Sequence, residues 1–249
     1  MRISFVIPAY NEEQRLPSCL SSVERELART SCDAEVIVVN NASTDCTGEV
    51  ARSFNWVKVV NEPNKGLVRA RHAGFTVSTG DIIANIDSDT IMPEGWLETV
   101  INEFKHDEHL AALSGPYIYY DLSILHRFLT KFFYFLGYIS HLINHHILHS
   151  GAMLQGGNFI VRRSHLEQIG GFDTSIEFYG EDTDIARRIS KVGRVKWTFK
   201  LPMYTSGRRL AKEGTMRMGL RYAANYFHTL ILGKPLTVEY TDIRDTAKY

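Results

Sequence analysis

The chain has 249 residues, and its 28 lysines and arginines balance 28 aspartates and glutamates, so it is formally neutral. Neutrality argues against broad electrostatic binding of nucleic acid, which needs a basic footprint. Apolar residues make up 44% and charged residues 22%, the composition of a globular chain able to bury one large core or two small ones. The cysteines, Cys19, Cys32 and Cys46, are odd in number and lack CxxC spacing. That argues against a disulfide framework or a zinc site and predicts reduced thiols in a cytoplasmic setting. The run RISFVIP after Met1 is too short for the apolar core of a signal peptide. No uninterrupted apolar stretch reaches the roughly 18 residues of a membrane span.

Ile3 to Pro8 is apolar and predicts a buried strand. Asn11 is predicted to cap the next helix, with Glu12 and Glu13 suiting its dipole. Leu16, Leu20, Val23 and Leu27 give that helix its period. Ala34 to Val39 predicts a second strand, ending in the small polar loop Asn40 to Asp45, before a helix through Val50 and Phe54. Trp56 to Val60 predicts a third strand, and Asn64-Lys65-Gly66 opens a helix carrying Arg69 and Arg71.

The stretch Gly80 to Thr90, GDIIANIDSDT, organises the rest. Its run Ile82 to Ile86 is apolar without alternation, as in a strand covered on both faces. It ends in Asp87 and Asp89, which cannot be core without a partner or a metal. Ligands of parallel α/β sheets bind outside the carboxyl ends of the strands, so this pair is a candidate divalent-cation site for a phosphate-bearing substrate. A helix from Pro93 to about Lys105 and a strand from Leu110 to Ser114 follow. Alternating strands and helices with short connections predict a parallel sheet covered on both faces. Walker A, GxGxxG and GxSxG patterns are absent from the sequence, which disfavours ATPases, dinucleotide oxidoreductases and serine hydrolases.

From Asp121 to His149 the chain turns aromatic-rich, with Phe128, Phe132, Phe135 and Ile139 at helical spacing. Two readings follow: a helix pair packed on the sheet or on another subunit, or an element on a membrane surface that meets a lipid-linked acceptor. His141, His145 and His149 share a helical face, but no carboxylate completes a metal site there. Gly156-Gly157-Asn158 is a turn before a strand-like run, and Gly170-Gly171-Phe172-Asp173 is another turn. Glu181-Asp182-Thr183-Asp184 opens an amphipathic helix that Gly193 is predicted to close. Those acids suit an N-terminus through capping and the helix dipole, yet exceed what a cap needs, so one is a candidate general base. Val195 to Phe199 predicts a strand, and a basic amphipathic helix is expected from Lys212 to Leu232.

The ordered set Pro8-Ala9-Tyr10-Asn11-Glu12, Asn41 to Asp45, Asn64-Lys65-Gly66 with Ala70 to Gly74, Asp87-Ser88-Asp89, Gly156-Gly157-Asn158, Gly170 to Asp173 and Gly180 to Asp184 resembles the family 2 glycosyltransferases of GT-A fold. The resemblance covers roughly residues 2 to 200. It implies an α/β, Rossmann-like, mostly parallel sheet flanked by helices, with a helical C-terminal acceptor region. The expected parts are a nucleotide-sugar half over 1–115, an acceptor and base half over 116–207, and a basic amphipathic helix and tail over 208–249.

It further implies an inverting transferase using a nucleotide diphosphate sugar with Mn²⁺ or Mg²⁺. Pro8, Tyr10 and Glu12 would line the nucleotide pocket, Asn40 and Asn41 would reach the base, and Lys65 and Arg71 would lie near the nucleotide. Asp87 would serve ribose or metal, and Asp89 would ligate the metal. Asp182 would be the catalytic base, with Glu181 as the alternative, and Gly156, Gly157 and Asn158 would meet the acceptor. Position 40 is Asn where many members carry Asp, which leaves uracil preference open. The absence of a QxxRW motif implies transfer of one or a few sugars. After Tyr204, Arg208 and Arg209 stand where some GT-A enzymes place a metal-binding histidine. Expected partners are the donor and a glycan or lipid-linked acceptor, as in polysaccharide biosynthesis, with no nucleic acid. The aromatic segment and last helix are candidates for a homo-oligomer contact or the inner membrane face. Two rivals stand beside this reading. One is a sugar-phosphate nucleotidyltransferase, which carries a glycine-rich basic loop where this chain has PAYNEE. The other is a non-catalytic nucleotide-sugar-binding protein peripheral to a membrane.

Overall fold

A computed structural model describes residues 1–143, 153–237 and 242. Its centre is a seven-stranded sheet in the order β3-β2-β1-β4-β8-β6-β9. The strands are β1 (Ile3–Ala9), β2 (Ala34–Asn41), β3 (Val57–Glu62), β4 (Ile82–Ile86), β6 (Leu110–Ser114), β8 (Asn158–Arg162) and β9 (Arg194–Trp197). All pairings are parallel except those of β8, which runs antiparallel to both β4 and β6. The expected halves at 1–115 and 116–207 therefore share one sheet.

Two apolar layers cover it. Ile3, Phe5 and Ile7 of β1 face helices α1 (Leu16–Arg29) and α4 (Trp96–His106), meeting Leu16, Leu20, Trp96 and Val100. Val6, Ile37 and Ile83 face the other way, toward α3 (Leu67–Val77) and α7 (Glu181–Ile189). Alternate residues of each strand thus enter opposite layers, which is why β1 and β4 are buried along their whole length. Each such Ile or Leu removed from water contributes about 1.5–3 kcal/mol.

Three local expectations change. Asn11 does not cap α1, which begins five residues on, with proline in its first turn. Asn11 instead adopts a left-handed φ of 51°, and its Oδ1 accepts the Thr44 backbone N–H at 2.8 Å, tying the loop after β1 to the loop after β2. The helix α7 ends at Ile189 with Ser190 as its cap. Gly193 serves close packing: a Cβ there would stand 2.5 Å from that of Ala111. The last helix is two, α8 (Arg208–Glu213) and α9 (Thr215–Leu232), divided at Gly214, whose φ of 87° suits glycine.

The aromatic segment forms α5 (Ile124–Ile143). His145 and His149, and the side chain of His141, lie outside the described residues. A second sheet of three short strands, β5 (Thr90–Ile91), β10 (Met203–Thr205) and β7 (Tyr117–Tyr119), closes over the end of β4.

Candidate active site

The sheet reverses its winding at β1, with β2 on one side and β4 on the other. The crevice outside their carboxyl ends is where such sheets bind ligands. A cavity of about 680 Å³ lies there, within the usual range of roughly 300–1,000 Å³ for small-molecule sites. Pro8, Tyr10, Glu12, Asn41, Lys65, Arg71, Asp87, Asp89, Gly156, Gly157, Glu181 and Asp182 all line it. Asn40 and Asn158 do not.

The antiparallel β8 explains how the two acidic groups meet. Ile86 pairs with Asn158, so the turn entering β8 sits beside the turn leaving β4. A Cβ on Gly157 would overlap the Asp87 carboxylate at 2.1 Å, and one on Gly156 would stand 3.1 Å from Glu181 Oε1 and 3.7 Å from Asp182 Oδ2. The two glycines fill the gap between Asp87 and the Glu181–Asp182 pair because nothing larger fits. The next residue turns away into the core: Asn158 is fully buried. Its amide donates to the carbonyls of Gly115 (3.1 Å) and Leu201 (2.8 Å), and its Oδ1 accepts from Trp96 Nε1 at 3.0 Å. The acceptor contact expected of Asn158 is therefore corrected to a structural one. We predict that Gly157→Ala displaces Asp87 and lowers kcat/KM by about 10²-fold, since a shift near 1 Å at a reacting centre has that effect. Tm and steady-state rates measured together check it, and an unchanged rate would remove Asp87 from the site.

Arg71 is wholly buried on α3. Its guanidinium donates to Glu181 Oε1 and to the Gly156 carbonyl and to Asp87 Oδ1 at 3.1 Å. It also stacks 5.2 Å from the Phe159 ring centroid. One arginine thus links the acids after β4 to the acids at the start of α7. Tyr117 donates its hydroxyl to Asp87 Oδ2 at 3.0 Å, and burial keeps that phenol protonated.

The acids differ in state. Burial, with Asp182 and Asp87 nearby, pushes the Glu181 carboxyl up to about 8 despite Arg71. Its Oε2 has no hydrogen-bond partner among the described residues. Asp182 is raised by burial and opposed first by the Thr183 N–H, which its Oδ1 accepts at 2.7 Å. Near neutral pH Glu181 favours its protonated form, while Asp182 keeps the Thr183 N–H as a donor that favours its anion, two environments for two neighbouring acids. Asp184 pairs with Arg187 and Arg188 of its own helix and does not line the cavity.

On the other wall, Glu12 is almost fully buried and Arg208 donates both guanidinium nitrogens to it. Arg208 also reaches Asp89 Oδ2 at 3.0 Å. Burial pushes Asp89 up to about 6, with Arg208 opposing. Lys65 Nζ lies 3.9 Å over the Tyr10 ring and 2.8 Å from Asp242.

Asn41 spends its amide on the loop ahead of α3. It donates to the Glu62 and Asn64 carbonyls at 3.1 and 2.8 Å and accepts from the Gly66 N–H at 2.8 Å. Asn40 donates to Asn61 Oδ1 at 3.2 Å on the neighbouring strand and does not line the cavity. Among the described residues no cluster of three or more His, Cys, Asp or Glu side chains forms a metal cage. Asp89 and Asp87 present hard oxygens to one cavity, a set that fits a divalent cation drawing its other ligands from phosphate and water. Sequence reasoning missed Tyr117, which lies in an unremarked YIYY run, and left open what Arg208 pairs with.

The profile described as Glycosyl transferase family 2 matches residues 4–170, and one described as N-terminal domain of galactosyltransferase matches residues 140–205. The probable glycosyltransferase YdaM of Bacillus subtilis is 30% identical over 213 residues, covering 77% of this chain and 47% of that protein. The chain thus spans about half the length of that relative. The mannosyltransferase PcManGT of Pyrobaculum calidifontis, solved with GDP-Man and Mn²⁺, superposes with a TM-score of 0.69 at 19% identity, over 93% of this chain and 64% of its own. Glucosyl-3-phosphoglycerate synthase of Mycobacterium tuberculosis, solved with Mn²⁺, UDP-glucose and phosphoglyceric acid, gives 0.64 at 22% identity, over 98% and 85%. Their shared fold is GT-A. With two-thirds of its length matched by the family profile, and with its acids and glycines gathered at the carboxyl edge of that fold, this chain belongs to glycosyl transferase family 2.

Proposed function

We propose that the chain is a metal-dependent inverting glycosyltransferase that moves a sugar from a nucleoside diphosphate to an acceptor hydroxyl. The observation that carries this reading is the meeting of two acidic groups in one cavity, Asp87 and Asp89 on one side of Gly156–Gly157 and Glu181 and Asp182 on the other. Structural neighbours solved with Mn²⁺ and nucleotide sugars lend it support.

In this reading Asp89, with Asp87 beside it, would hold Mn²⁺ or Mg²⁺, and the ion would supply positive charge against the departing diphosphate. Pro8, Tyr10, Glu12 and Lys65 flank the nucleotide. Asp182 takes the proton from the acceptor hydroxyl as its oxygen attacks the anomeric carbon opposite the leaving diphosphate. The old C–O bond breaks as the new one forms, so the centre inverts, and no second carboxylate is needed as a nucleophile. Gly156 and Gly157 let the two acidic groups approach one another across the turn into β8.

A screen of nucleotide sugars with Mn²⁺, with Mg²⁺ and with EDTA tests the reading. The expected result is nucleoside diphosphate release from one donor class, abolished by EDTA and restored by the ion. Turnover untouched by EDTA would remove the metal. Pyrophosphate exchange in place of nucleoside diphosphate release would make the protein a nucleotidyltransferase.

A further inference from the structure

The helices α5 and α9 pack together where Gly219 meets Phe133, leaving no room for a Cβ, which would come within 2.7 Å of the ring. Their outer faces are apolar and open. Ile124, Phe128, Phe132 and Phe135 recur down α5, and Met216, Leu220, Phe227 and Ile231 down α9, with Phe128 71% and Ile231 76% exposed. Contiguous exposed apolar surface of this kind marks an interaction site.

Charge narrows what covers it. Neither helix contains an aspartate or glutamate, while Arg127, Lys131, Arg217 and Arg221 lie on them, in a chain whose total charge is zero. Glu213, two residues before α9, is already paired with Arg209 and Arg221. A two-fold copy of this face would set bases against bases, whereas an anionic lipid surface complements both the charge and the apolar stripe. No helix among the described residues is long and apolar enough to cross a membrane, so the pair fits lying on one.

The same helices form the far end of the cavity. Leu220 and Phe227, two residues of that exposed apolar stripe, line it as well. The cavity therefore runs from Asp182 to an apolar opening on the face just described. That shape takes a molecule with a polar head at the acids and a hydrocarbon tail leaving between α5 and α9.

We infer that the α5–α9 face docks on an anionic bilayer and that the acceptor is an amphiphile, a hydroxyl-headed lipid whose tail lies between the two helices. The inference rests on the glycosyltransferase reading for the identity of the head group's reaction, and on the surface alone for docking.

Flotation of the full chain with phosphatidylcholine vesicles, with and without phosphatidylglycerol, tests the docking. Binding is expected with phosphatidylglycerol at low salt, weakened about tenfold at high salt as screening removes the charge contribution. Phe128→Glu with Ile231→Glu places two charges on the outer face away from the cavity lining. This variant is expected to lose vesicle binding and keep nucleotide binding, measured on the same sample. Farnesol is expected to compete with an amphiphilic acceptor where glycerol does not. The inference is overturned if the protein stays unbound with both lipids. It is also overturned if light scattering shows a dimer that the double variant splits, or if glycerol competes as well as farnesol. Vesicle binding without nucleotide binding would overturn the donor reading and leave the docking face intact. Nucleotide binding without vesicle binding would do the reverse.

Discussion

Asp182→Asn abolishes sugar transfer while nucleotide binding persists, and Glu181→Gln leaves most of the transfer activity at neutral pH. The expected loss at Asp182 is about 10²–10⁴-fold in kcat, the usual contribution of a positioned base. KM for the donor should change little, because Asp182 stands across Gly156 from Asp87, on the side that would hold the metal. The contrast between the two variants follows from their states. Glu181 is buried against Asp182 and Asp87 with a single arginine to neutralise the group, and its carboxyl sits at about 8. A protonated glutamate and a glutamine carry the same charge and nearly the same shape, so the exchange is mild. Steady-state kinetics of both variants decides the matter. If Asp182→Asn turns over near the wild-type rate and Glu181→Gln does not, the two acids exchange roles.

The same states set a pH profile. Asp182 acts as the anion, and burial raises its pKa above the ordinary aspartate value. The rate should therefore fall on the acid side at a higher pH than an exposed aspartate would give. Near pH 8 Glu181 loses its proton, adding a negative charge beside Asp182 and changing the alkaline limb. Glu181→Gln cannot titrate, so that alkaline change should vanish while the acid limb stays. A profile of kcat/KM for wild type and variant checks both halves of the statement.

What sequence showed of this site follows from the range of each signal. The strand β4 and its two acids were readable because an apolar run without alternation has one common home, a doubly covered strand, and charges at its end must point out of the core. The glycines at 156 and 157 were readable as a turn, but not as the spacer between Asp87 and Asp182. That role depends on β8 pairing antiparallel with β4, which no local pattern encodes. Asn158 shared their motif and went the other way, since one step along a strand turns a side chain to the opposite face. Asn11 looked like a cap by residue type alone; its left-handed backbone and its bond to Thr44 exist only once β1 and β2 lie side by side. Gly214 was one glycine in a long helical pattern, and only its backbone angle shows that the helix breaks there. Arg71 and Glu181 are 110 residues apart, so their pairing has no periodic trace at all.

That pairing carries the second large effect. Arg71→Met is expected to destabilise the fold by about 3–5 kcal/mol, the usual result of removing one partner from a buried ion pair. The loss would come less from the missing attraction than from what remains: Asp87 and Asp182 close together without a cation, and the Glu181 carboxyl and Gly156 carbonyl without their donor. Urea denaturation measures it. Adding Asp87→Asn to Arg71→Met removes one of the stranded carboxylates and should recover part of the stability, a non-additive pair that independent sites would not show. Arg71→Lys separates charge from geometry. Lysine restores a positive charge, but an ammonium on a flexible stem cannot span Asp87, the Gly156 carbonyl and Glu181 together as the planar fork does. It should therefore restore stability better than transfer. If Arg71→Met costs no more than about 1 kcal/mol, the typical value of an exposed pair, the three acids are not held by this arginine. The link between the two halves of the site would then have to lie in Gly156 and Gly157 alone.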